Sequence, residues 1–159
     1  MGSTELRLWR AYDPDRPYTR RADFDPLSGE GASFVSGRWH TARPDVRIVY
    51  AAEHPALALL ELYVHIEHAL HRYTLVEFLV EAPGVARAPA SVVENLDDVS
   101  ATRTFGNAWY MSDLNPVLEV PSVLVPEGTN YLVRIDDTVH LRRLRTTTYP
   151  LDRRLAERL

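Results

Sequence analysis

The run Val46-Arg47-Ile48-Val49-Tyr50-Ala51, followed four residues later by Pro55 and a long apolar stretch, constrains this chain more than any other segment. A β-branched and aromatic run of this length reads as a buried strand. Pro55, whose fixed φ and missing N–H suit a first helical position, opens a helix expected to run to about His71. This strand and helix form the expected core. Around them, Leu6 to Ala11 and Tyr73 to Glu81 read as strands, and Ala82 to Ser91 as a connection. Four further short strands, Val117 to Val120, Ser122 to Val125, Tyr131 to Ile135 and Val139 to Thr147, are punctuated by Pro121, Pro126 and Gly128. Thr102 to Ser112 and Leu151 to Leu159 read as helices. Strands and helices alternate without a regular βαβ rhythm, so the expected class is α+β, with a mixed or mostly antiparallel sheet and flanking helices. At 159 residues, 45% hydrophobic and 25% charged, the chain has the composition of one globular domain spanning 1–159, with Met1-Gly2-Ser3 set aside as resembling an expression scar.

Between the first strand and the core lies a stretch, Tyr12 to Gly37, broken by Pro14, Pro17, Pro26, Gly29, Gly31 and Gly37. Loops of this length in small domains are usually functional or disordered. This one carries four aromatic residues and three arginines, which favours an ordered loop facing a ligand.

Composition removes whole classes of chemistry. The chain has no cysteine, so it offers no thiolate nucleophile, zinc thiolate or iron–sulfur ligand. All 18 of its basic side chains are arginine, so neither a lysine Schiff base nor a phosphate-loop lysine is available. A GC-rich genome is a sufficient reason for that usage, yet arginine is also the side chain that grips phosphate in a planar fork. A net charge of −4 argues against a broad nucleic-acid footprint and in favour of a small anionic ligand held by a local arginine cluster. No apolar run reaches the length of a membrane span, and Met1 to Glu5 lacks the pattern of a secretory leader. The expected setting is therefore soluble and cytoplasmic.

Glu61 stands among Leu57, Leu59, Leu60 and Leu62 on a helix whose apolar residues spread over most of its circumference, which predicts burial nearly all round. A carboxylate there is costly to desolvate unless paired or opened into a cleft. The plainer alternative, an exposed glutamate between two packed sides, carries equal weight from spacing alone. His65 and His68 follow at four and seven residues and are expected on the same face, with His71 at its edge. They lack the paired-histidine spacing of a zinc helix, so a solvated face is the expected reading and no metal is assigned. Ser28-Gly29-Glu30-Gly31-Ala32 and Ser36-Gly37-Arg38-Trp39-His40 place glycines beside an arginine, which lets backbone approach a ligand that a guanidinium grips. A turn with Trp39 in the core and Arg38 at the surface explains the same pattern. His40 has no serine or aspartate positioned to complete a hydrolase triad. Ser122 and Asn130 are small polar residues in apolar surroundings, and each must find a hydrogen-bond partner, local or ligand.

These residues together resemble the RES family of bacterial toxins, named for an Arg, a Glu and a Ser. The resemblance runs through Leu8-Trp9-Arg10, Leu27 to Ala32, Ser36 to His40, Ile48 to Ala52, Ala58 to His65, Val120-Pro121-Ser122 and Thr129 to Leu132. It departs at Val133-Arg134-Ile135-Asp136-Asp137, where family members often carry Asn-Pro and His-Pro. It implies a fold similar to ADP-ribosyltransferases of the diphtheria-toxin type and consumption of NAD⁺ as substrate, with no further cofactor. It also implies neutralisation by an Xre-like antitoxin in a hetero-oligomer. Family members differ in whether ADP-ribose goes to water, to phosphate or to a protein such as phosphoribosyl pyrophosphate synthetase. Within that resemblance Glu61 would stabilise an oxocarbenium-like transition state, while Arg10 and Arg38 would hold the pyrophosphate and restrain the ribose. Tyr50 would stack on the nicotinamide, Ser122 would orient the amide or ribose, and Asn130 would belong to the same shell. A module that binds its partner without catalysis is the alternative from another class.

Overall fold

The computed structural model describes residues 2–158; Met1 and the Leu159 end of the expected terminal helix lie outside them. The elements in chain order are β1 (Thr4–Tyr12), α1 (Gly31–Phe34), β2 (Ile48–Ala52), α2 (Pro55–His65), β3 (Arg72–Ala82), β4 (Val85–Arg87), α3 (Ala90–Val93), α4 (Val99–Met111), β5 (Val117–Pro121), β6 (Thr129–Arg134), β7 (His140–Pro150) and α5 (Arg153–Ala156). The strands make one sheet in the order β4-β5-β6-β2-β1-β3-β7. Its pairings are antiparallel except for β4 with β5, so the sheet is mixed and the class is α+β.

At its centre the sheet is nearly two sheets. β1 runs along β3 from Thr4 opposite Ala82 to Tyr12 opposite Thr74, and β2 runs along β6 over five pairs, but β1 meets β2 at the single pair Trp9 with Ala52. The two ladders therefore diverge on either side of that pair. The alternation in β3 buries Thr74, Val76, Phe78, Val80 and Ala82, and the last four join Leu8, Val49, Val117 and Val133 in one core. The opposite parity of β2 and its neighbours, with Ile48, Leu118, Val120 and Leu132, packs against Trp39 and Trp109 in a second core. A smaller cluster of Ala52, Leu57 and Ala58 seats α2 beside Trp9 and Ala11.

Several expectations change. Helix α2 starts as the sequence suggests, with Pro55 in the first turn and His54 Nδ1 accepting from the Ala56 N–H at 3.0 Å. It stops at His65, well short of His71. The cause is tertiary: His68 is drawn to Asp13 at 2.7 Å, Leu70 is buried, and the His71 carbonyl accepts from the Leu151 N–H. Nor is the helix buried all round, since Leu57 and Ala58 are its buried residues and Leu60 and Val64 are exposed. Ser122 to Val125 is a turn instead of a strand, because the Ser122 hydroxyl accepts from the N–H groups of Leu124 and Val125 and bends the backbone around itself. The connection from Ala82 to Ser91 contains β4 and the start of α3, and the terminal helix is the short Arg153–Ala156 turn.

The long loop is ordered by its own aromatics. Tyr12 meets Phe24, and Tyr18 meets Phe24 and Phe34, all edge to face. Gly29 has φ +74, and a Cβ there would stand 2.7 Å from the Ile48 backbone nitrogen, so glycine is required where the loop touches β2.

Helix α4 is fixed at both ends. Asp98 accepts from the Ala101 N–H, and buried Arg134 donates to the carbonyls of Trp109, Ser112 and Leu114 while pairing with Asp136 at 2.7 Å.

Candidate active site

Where β1 and β2 part, a cleft of about 710 Å³ opens, within the range that small-molecule ligands occupy. β1 supplies Trp9 and Arg10, β2 supplies Tyr50, α2 supplies Glu61 and His65, and the turn after α1 supplies Gly37 and Arg38. Of the expected site residues, Glu61, Arg10, Arg38, Tyr50 and Asn130 line this cleft; Ser122 stands behind it. The end of the long loop, from Gly31 onward, faces the cleft as expected, whereas its earlier half packs elsewhere.

Glu61 is held from one side. Its Oε1 accepts from the Ser122 hydroxyl at 2.9 Å and from Asn130 Nδ2 at 2.8 Å. Its Oε2 lies 3.7 Å from His65 Nε2, and the side chain stays 26% exposed, which decides between the two readings of this residue in favour of a carboxylate opened into a cleft. The Ser122 hydroxyl proton goes to Glu61, because the same oxygen already accepts two backbone N–H groups. Ser122 is fully buried and acts on the cleft through the carboxylate. Asn130 keeps a buried Oδ1 with no partner. The histidine stripe is broken: His65 shares the Glu61 face, while His68 lies beyond the helix and pairs with Asp13.

Arg10 crosses the gap between the ladders, donating through Nη1 to the Tyr50 carbonyl at 2.9 Å, where a ladder bond would otherwise run. Its Nε is buried without a partner, and burial lowers its pKa from the usual arginine value. An unpartnered guanidinium N–H at a cleft is a ready donor to an anion. Arg38 lines the same cleft and bonds the Leu96 carbonyl. Its neighbour Trp39 is core, as the plainer reading had it.

Tyr50 is locked by a partner that sequence reasoning did not assign. His40 Nε2 lies 2.9 Å from the Ala32 carbonyl, which only accepts, so Nε2 carries the proton and Nδ1 is an acceptor. The Tyr50 hydroxyl therefore donates to His40 Nδ1 at 2.7 Å. Burial pushes the Tyr50 phenol up and the His40 imidazole down, so both stay neutral near pH 7. The phenol is occupied, and the ring is what Tyr50 presents to a ligand. Gly37 is needed for this arrangement, since a Cβ there would stand 2.5 Å from the Tyr50 hydroxyl.

A carboxylate fixed by two donors on one oxygen, in a cleft also lined by guanidiniums, can stabilise positive charge beside a bound anionic group. The RES domain model matches residues 7–152, and the chain belongs to the RES-domain family. It is 41% identical over 136 residues to the Prs ADP-ribosylating toxin of Sphingobium sp. (strain YBL2), covering 79% of this chain and 80% of that one. It is 38% identical over 119 residues to Toxin Res of Pseudomonas putida (strain KT2440), covering 71% and 80%.

Proposed function

We propose that the chain is the toxin of a toxin–antitoxin pair and cleaves the nicotinamide–ribose bond of NAD⁺. The observation that carries this reading is the one-sided grip on Glu61, whose free oxygen faces the same cleft as Arg10 and Arg38. The guanidiniums hold the pyrophosphate, and the Tyr50 ring packs against the nicotinamide. The bond from ribose C1′ to the pyridinium nitrogen breaks with its electron pair going to nitrogen. Nicotinamide thus leaves neutral and needs no strong general acid. The positive charge left on the ribose is stabilised by Glu61 Oε2. An acceptor oxygen then attacks C1′ and loses its proton to solvent. Ser122 and Asn130 serve by fixing the carboxylate, and Asn130 Oδ1 awaits a donor from the ligand. NAD⁺ is substrate here, and the chemistry requires no metal or other cofactor.

Water or phosphate is the acceptor in the first reading. A protein acceptor is the second, and it is favoured by similarity to a relative named for ADP-ribosylating Prs. The division of the sheet into two ladders about the cleft supports a fold similar to diphtheria-type ADP-ribosyltransferases. The inhibiting partner in this reading is an Xre-like antitoxin that covers the cleft mouth, where Val35 and Leu124 are exposed. The setting is the cytoplasm; among the described residues no helix is long and apolar enough to cross a membrane.

The test is mass spectrometry of NAD⁺ incubated with the purified chain, with and without phosphate and a cell lysate. Free ADP-ribose, its 1-phosphate or an ADP-ribosylated protein each identifies an acceptor. Intact NAD⁺ in every arm contradicts the proposal and favours a non-catalytic binding module.

A further inference from the structure

We propose that Arg103, on α4, is a third guanidinium of the cleft and contacts the phosphates of its ligand. Where that ligand is named as NAD⁺, the proposal rests on the preceding reading. Arg103 donates through Nε to the Gly37 carbonyl at 2.7 Å, and among the described residues its terminal nitrogens make no other hydrogen bond. The residue lines the cleft and is half-buried. A guanidinium anchored by Nε has its fork fixed in direction while both terminal nitrogens remain open to an anion.

Charge argues the same way. Among the described residues, Glu61 is the one carboxylate lining the cleft, and Arg10, Arg38 and Arg103 line it with guanidiniums. Three cations against one anion leave two positive charges in the cleft of a chain whose net charge is −4. A pyrophosphate bridge carries two negative charges, and a third guanidinium strengthens the attraction of the cleft for it.

Helix α4 explains why the residue is rigid. Thr102 donates to the Arg38 carbonyl at 2.6 Å, Arg103 to that of Gly37, and Gly106 lies so close to Trp39 that a Cβ would overlap the Trp39 carbonyl oxygen. One face of α4 thus grips three successive residues of the arginine-bearing turn. Arg103 belongs to that grip and also reaches the ligand space.

The experiment is ligand-observed NMR titration of ADP, inorganic pyrophosphate and adenosine against the parent chain, Arg103→Gln, Arg103→Lys and Thr102→Val, with melting temperatures recorded. Arg103→Gln is expected to weaken ADP and pyrophosphate by about tenfold or more, as loss of a charge-assisted contact does, and to leave adenosine within about twofold. Arg103→Lys should keep part of the phosphate affinity. Thr102→Val loosens the same turn without removing charge and should leave the ratio of ADP to adenosine affinity unchanged. Equal weakening of ADP and adenosine in Arg103→Gln, or no weakening, overturns the proposal, as does a parent chain that binds neither ADP nor pyrophosphate. Should Arg103→Gln not fold, Arg103→Lys decides: weaker ADP and pyrophosphate binding with adenosine unchanged supports the phosphate contact, and affinity and salt dependence for ADP equal to the parent chain's overturn it. A parent chain that binds ADP but releases no nicotinamide leaves Arg103 in place and removes the NAD⁺ reading.

Discussion

The Ser122 hydroxyl donates to Glu61 Oε1 at 2.9 Å while accepting from the Leu124 and Val125 N–H groups, so the turn after β5 and the cleft carboxylate form one hydrogen-bonded unit. Removing the hydroxyl leaves two backbone donors and half of the grip on Glu61 unsatisfied. Ser122→Ala is expected to cost about 1–3 kcal/mol of stability and to lower kcat by about tenfold with KM nearly unchanged. Asn130→Ala removes the other donor, and its effect on kcat should be less than additive with Ser122→Ala because both act on one oxygen. Urea denaturation and steady-state kinetics of the single and double variants check this. A raised KM with kcat intact would show that Ser122 binds substrate directly.

Gly37 sits against the Tyr50 phenol, and a methyl group there has no room. Gly37→Ala is expected to break the Tyr50–His40 bond, destabilise the fold by about 1–3 kcal/mol and reduce NAD⁺ binding. Tyr50→Phe in the same background relieves the closest contact, that with the hydroxyl oxygen, and should recover part of the stability.

His40 is buried neutral, so its pKa in the folded state lies below the ordinary 6.5. The unfolded chain then binds more protons than the folded one between those two values. Stability from this group is full above about pH 6.5 and is lost as pH falls through the lower folded value. Asp15, Asp23, Asp136 and Asp152 have lowered pKa values and act only in more acidic solution. The melting temperature of the parent chain should therefore drop more than that of His40→Gln between pH 7 and pH 5. Parallel curves would contradict a buried neutral His40.

Local chemistry explains which parts of this architecture can be read from the chain. The β2–α2 pair is legible because Val49 and Pro55 act through their own backbone preferences, and Glu61 is legible because a carboxylate among leucines calls for a reason. The end of α2 is not, since no breaker stands near Ile66 and the helix yields to the His68–Asp13 bond and to burial of Leu70. Ser122 is misread as the start of a strand because Val123, Leu124 and Val125 form a short β-prone apolar run, while the hydroxyl that bends the turn leaves no periodic mark. His40, Arg103 and Tyr50 come from three separate segments; the His40–Tyr50 bond joins the turn after α1 to β2, and the Arg103–Gly37 bond exists only once α4 has packed on that turn.

The most direct measurement is nicotinamide released from NAD⁺ by the purified chain and by Glu61→Gln. Glutamine keeps an oxygen for Ser122 and Asn130 and removes only the charge, so the variant should fold with near-parent stability. The proposed chemistry predicts nicotinamide release by the parent chain, lowered about 10²-fold or more in Glu61→Gln, as expected when a group stabilising transition-state charge is removed. Equal release by both proteins, or none by the parent, would contradict it.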